Sequence, residues 1–177
     1  MKKFLKKEKL SATSIVEIIA VVFIALVLLS VTISYSKQSS KIILLNRDVI
    51  RLSAKLTQAK SLSLALLKEE SGTVNICAWG LHFPDPPTSE YYLFFDKASN
   101  CDNSDKKWTD DSETKEVILL DQGIEITSIN FNDILFWPPD PTVYFYPKEV
   151  NQGTIIISTG NYQKKIKINK LGQLNFE

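Results

Sequence analysis

The chain of 177 residues reads as an α+β protein, one long N-terminal helix followed by a β-rich C-terminal region. Three observations predict it. The apolar run from Ile15 to Ile33 carries a single charge, Glu17. Beyond it, Ile42, Leu45, Val49, Leu52, Leu56, Ala59, Leu62 and Leu66 recur at spacings of three and four, with no Pro or Gly from Thr13 to Ser71. From Ser71-Gly72 onward, short runs rich in β-branched and aromatic residues alternate with turn signals.

Taken in order, residues 1–12 form a basic leader in which Lys2, Lys3, Lys6, Lys7 and Lys9 stand against Glu8. Residues 13–36 form the apolar half of the helix. Residues 37–70 form its amphipathic half, with one apolar face that a globular region can cover. A helix from Thr13 to about Lys68 would be on the order of 80–85 Å long at ~1.5 Å per residue. That exceeds the roughly 30 Å core of a bilayer. Residues 71–177 suffice for one β-rich head. Strands are expected at Thr73–Trp79, Tyr91–Asp96, Glu116–Leu120, Ile124–Asn130, Thr142–Tyr146, Thr154–Ser158, Tyr162–Asn169 and Gln173–Phe176. Pro84, Pro86 and Pro87, then Pro138, Pro139 and Pro141, punctuate them, Gly160-Asn161 has the form of a hairpin turn, and Ile155 to Ile157 suit a strand buried on both faces.

Charge restricts the function classes. With 21 basic and 20 acidic residues the net charge is +1, and removing residues 1–12 leaves 16 basic and 19 acidic residues, a net of −3. Nothing in that balance points to nucleic acid. Locally, residues 37–68 are basic and 102–116 acidic, an asymmetry suited either to packing between subunits or to solvated faces. The far flank of the apolar run carries Lys37, Lys41, Arg47 and Arg51, so charge bias alone sets orientation weakly. A dozen residues before the span and a folded region after it place the N-terminus in the cytoplasm.

A carboxylate deep in a bilayer costs roughly 2.5–3.5 kcal/mol on insertion scales, so Glu17 invites a functional reading. The segment Ser11-Ala12-Thr13-Ser14-Ile15-Val16-Glu17 after its basic leader resembles the signal of type IV prepilins and type II secretion pseudopilins. The resemblance implies cleavage after Ala12, N-methylation of Thr13, and Glu17 as the fifth mature residue. Ala12 stands where Gly is usual in that family, and Thr13 where Phe is usual. The β region has its own likeness: Val74-Asn75-Ile76-Cys77, Trp79-Gly80 and Tyr91 to Asp96, with a close at Thr154–Ser158, Lys164–Lys170 and Leu171-Gly172-Gln173-Leu174, resemble the pseudopilin H-like minor pilins. This implies the pilin lollipop, a long helix packed on an antiparallel β head, and a structural subunit that starts or joins a filament. It implies as partners other pilin or pseudopilin subunits, a prepilin peptidase, an inner-membrane assembly platform and membrane lipid. It also implies a bacterial cytoplasmic-membrane location, single-pass with the head outside the cytoplasm, before entry into a pilus or pseudopilus. In assembly, Glu17 would neutralise the Thr13 amine of a neighbouring subunit.

Other readings of the same residues stand beside these. A signal-anchored extracytoplasmic binding or adhesive domain that never polymerises has the same outline, with Glu17 extending its carboxylate to the headgroups. Cys77 and Cys101 enclose the first hairpin; a disulfide suits an oxidising compartment, and two reduced, buried thiols are the other state. They and His82 are too few for a structural zinc site, and no cofactor is expected. Asp102, Asp105, Asp110 and Asp111 form either a solvated acidic loop or a calcium loop without the glycine and distal glutamate of an EF-hand. Catalysis has no nucleophile motif, and the sole histidine, His82, lies where a strand meets a loop. The chain is therefore read as no enzyme. In Gln163 to Lys170, alternation sets Lys165 and Lys167 opposite Ile166 and Ile168, a solubilising face or a weak anion or DNA contact.

Overall fold

The computed structural model describes residues 15–65, 75–139, 142–147 and 150–177. It divides into two units, Met1–Ser40 and Lys41–Glu177. Helix α1, Ile15–Ala65, spans 51 residues and contributes to each. The architecture is α+β, as its sequence predicts. The expected helix end near Lys68 and the first residues of the expected strand at Thr73 lie outside the described residues, as does the leader.

In the first unit α1 is an apolar rod. Every large apolar side chain from Ile15 to Ile33 is between 46% and 75% exposed. Its hydroxyls turn back onto the helix: Ser30 Oγ donates to the Val27 carbonyl and Thr32 Oγ1 to that of Leu28, each at 2.8 Å. These groups are satisfied without solvent. The helix is long and apolar enough to cross a membrane.

The second unit packs the rest of α1 with two antiparallel sheets. The strands are β1 (Asn75–His82), β2 (Glu90–Ala98), β3 (Thr114–Leu119), β4 (Glu125–Ile129), β5 (Asp133–Trp137), β6 (Thr142–Tyr146), β7 (Gln152–Thr159), β8 (Tyr162–Asn169) and β9 (Leu174–Phe176). One sheet has five strands in the order β3-β2-β1-β5-β6, and the other four in the order β4-β7-β8-β9. A bridge between Thr88 and Ile126 ties the β1–β2 connection to β4. The turn at Gly160-Asn161 joins β7 to β8 as the sequence indicates, with Gly160 at φ +57°.

Leu45, Val49, Leu52, Leu56 and Ala59 of the expected stripe are buried against Leu81, Phe83, Tyr91, Ile118, Ile126, Ile155, Ile157, Ile166 and Ile168. One core therefore draws on the helix and both sheets. Polar contacts flank it. Arg47 pairs with Asp121, Arg51 Nη1 donates to the Leu119 carbonyl at 2.9 Å, and Lys55 Nζ lies 2.5 Å from Glu116. These cations, one helical turn apart, fasten α1 along edge strand β3 and its exit. The basic stem and the acidic 102–116 segment thus meet within one chain at Lys55 and Glu116.

Two expectations need correction. β5 was not expected, yet it lies beside the central strand β1: Asp133 to Phe136 are all buried, so no alternation betrays the strand. The β7 isoleucines are not buried on both faces. Ile155 and Ile157 are fully buried, whereas Ile156 is half-buried on the opposite face.

Candidate functional site

Glu17 lies in the first turn of α1, where an acid suits the positive end of the helix dipole. Helical spacing sets it beside Ile18, Val21 and Val22, on an apolar surface. From Ile15 to Ser36 it is the only charged residue. An acid on such a rod can pair with a cation when the rod is buried in an apolar medium, or extend its carboxylate to a polar boundary. Ala12 and Thr13, the processing and methylation residues implied by the resemblance, lie outside the described residues.

In the head, Cys77 and Cys101 form a disulfide with Cα atoms 5.2 Å apart. Cys77 falls where the β1–β2 register shifts, between Ile76 and Ala78. Cys101 opens a 3-10 turn, Cys101–Asn103. The bridge fixes the segment after β2 to the buried strand β1.

His82 ends β1 on the outer face of the five-stranded sheet. Its Nδ1 lies 2.5 Å from Oδ1 of the buried Asp133, and its ring stacks against Trp108 at 4.2 Å and Tyr92 at 5.6 Å. Among the described residues Asp133 is the only hydrogen-bond partner of that ring. The histidine holds segment 99–113 against the sheet.

The acidic residues of that segment do not converge. Asp110 accepts from the Ser112 N–H at 2.8 Å, and Asp105 accepts from Thr109 Oγ1 at 2.9 Å. Among the described residues no group of His, Cys, Asp or Glu is arranged to hold a metal ion.

Lys165 and Lys167 lie on the outer face of β8, opposite the buried Ile166 and Ile168. Lys167 Nζ is 2.5 Å from Glu177 Oε1, and Lys167 with Lys165 holds that carboxyl below its ordinary pKa. The patch is already neutralised in part by the chain's own acid.

Four buried carboxylates escaped the sequence reading: Asp48 on the helix is 0% exposed, and Asp96, Glu113 and Asp133 in the head are 1%, 5% and 2% exposed. A signal existed for two of them. Asp96 and Asp133 are each the lone acid beside an apolar strand segment, Leu93-Phe94-Phe95 and Ile134-Leu135-Phe136. The partners of Asp133, His82 and Trp108, lie 51 and 25 residues away, and that of Asp96, Ser104, lies in the irregular segment eight residues on. Compared with protein-family models, curated proteins and solved structures, the chain matches none.

Proposed function

We propose that this chain is a minor structural subunit of a type IV pilus or type II secretion pseudopilus. In this reading it is made as a precursor, cut after Ala12, methylated at Thr13 and inserted as a single-pass membrane protein before joining a filament. The observation that carries the reading is Glu17: one acid in the first turn of a helix whose apolar side chains are exposed from Ile15 to Ile33. Two environments suit such a surface, a bilayer and the packed helices of a filament. Only the second offers a neighbour's amine to the carboxylate.

On leaving the membrane, Glu17 would meet the Thr13 amine of an adjacent subunit, and the pair would enter the apolar interior as a neutral unit. Removing one partner of a buried ion pair leaves the other charge uncompensated, at a cost of about 3–5 kcal/mol. The pair therefore favours assembly in one axial register. A tip subunit has no neighbour ahead of it, so Glu17 favours a place below the tip. The test is co-purification of the Glu17→Ala variant with the assembled filament. The variant should reach the membrane in normal amount and be missing from the filament. Normal incorporation would reject the reading.

A further inference from the structure

Residues 99–113 lie over the outer face of the five-stranded sheet, where two acids of the sheet, Asp96 and Asp133, accept hydrogen bonds from the segment and its own Glu113 accepts one within it. Ser104 Oγ donates to Asp96, the Trp108 N–H donates to Asp133 Oδ2 at 3.3 Å, and the Thr109 N–H donates to Glu113 Oε2 at 2.9 Å. Beneath the segment sits a small second core of Ala78, Phe94 and Leu135 with Trp108, Trp137 and Tyr144. One end is tied to β1 through Cys77–Cys101, and the other enters β3 after the 3-10 turn Asp111–Glu113.

This fastening is unusual in its charge. Asp96 and Glu113 are buried, and Oδ1 of Asp96 has no hydrogen-bond partner. Each electrostatically faces the exposed Asp105, and Asp96 also acts on Glu113. Lys106 is the cation acting on Asp96, yet its ammonium sits over Trp137 and Tyr144, 4.9 and 4.7 Å from the ring centroids. The Lys97 ammonium is committed to Ser112, with Nζ 2.8 Å from Oγ. On β1, His82 faces Asp133 rather than these two acids. A closed segment thus traps negative charge that a proton would relieve. Burial is the largest cause raising both carboxyls above their ordinary range, with their hydrogen-bond donors opposing it.

We propose that residues 99–113 form a proton-controlled flap: with Asp96 and Glu113 protonated it closes firmly on the sheet, and their ionisation loosens it and uncovers the aromatic face of His82, Tyr92, Trp137 and Tyr144. The sign follows from linkage. Groups whose proton affinity is higher in the closed state favour closure in acid, and this contribution is lost as the pH rises through their raised values.

Amide hydrogen exchange on the full chain in detergent micelles, corrected for intrinsic rates, tests this by following protection from neutral pH down into acid. Protection at Trp108 and Thr109 should rise in acid, the direction set by the raised carboxyls. The Asp96→Asn/Glu113→Gln variant should show the raised protection already at neutral pH and lose most of the pH dependence. His82→Gln should keep it. Equal or lower protection of the native chain in acid would overturn the proposal. So would a pH dependence that survives in the double variant or disappears in His82→Gln. If the double variant does not fold, the native chain and His82→Gln decide alone.

Discussion

The backbone N–H of Asp121 donates to Oδ2 of Asp48 at 2.8 Å, from the turn after β3 to a helix residue that is 0% exposed. Asp48 lies beside the apolar stripe, one residue before Val49, and burial raises its carboxyl above the ordinary value. Asp121 also pairs with Arg47. Through this pair of acids the helix grips the loop leaving the edge strand.

Asp48→Ala removes the acceptor of a part-buried N–H, a loss of about 0.5–1.5 kcal/mol, the net worth of an ordinary hydrogen bond. Asp48→Asn keeps an acceptor and removes the buried charge. Because the folded-state pKa is raised, the native residue's favourable contribution is present in acid and is lost as the pH rises. Asp48→Asn should therefore exceed the native chain in stability at neutral pH, with the gap closing toward the ordinary value of 3.8. Thermal melts of both variants across pH check this.

Packing should outweigh the surface ion pairs. Leu52 is fully buried in the shared core, and Leu52→Ala should cost about 2–5 kcal/mol. Arg47 is exposed, so Arg47→Ala should cost far less than Leu52→Ala despite its contact with Asp121. Denaturant titrations of the two variants give the ranking, and the reverse order would contradict the packing described.

At Gly80 an added Cβ would run into the backbone carbonyl of Ile134 on the neighbouring strand, a group that cannot move aside cheaply. Gly80→Ala should force β1 and β5 apart and destabilise the head by about 1–3 kcal/mol or more, on the order of other overpacked core sites. Circular dichroism melts read the loss.

The disulfide closes a sequence separation of 24 residues. Replacing both cysteines with serine should cost about 3.5 kcal/mol in the chain-entropy view. The loss should appear first as faster exchange in residues 99–113, which the bridge anchors at Cys101, and later in the β7–β8 hairpin.

What the sequence revealed depended on how local each signal was. The stripe is a one-dimensional pattern: the structure buries Leu45, Val49, Leu52, Leu56 and Ala59, leaves Ile42 and Leu62 half-buried at its ends, and Leu66 lies outside the described residues. The strands Thr142–Tyr146 and Tyr162–Asn169 have the expected bounds because turns or prolines delimit them. β5 was missed because a strand buried on both faces has no alternation and its run is short. The acids beneath residues 99–113 were missed for a different reason. Asp133 and Trp108 are 25 residues apart, and their hydrogen bond uses a backbone donor that any residue supplies. Glu17 was legible as a lone charge in an apolar run, whereas its proposed partner amine belongs to another molecule.

The most direct measurement for the central claim is the intact mass and N-terminal sequence of the protein extracted from its native membrane. A chain beginning at Thr13 with an added methyl group is the predicted result and makes Glu17 the fifth residue of a processed filament subunit. A chain still beginning at Met1 would contradict it and make the helix an ordinary anchor for an extracytoplasmic domain.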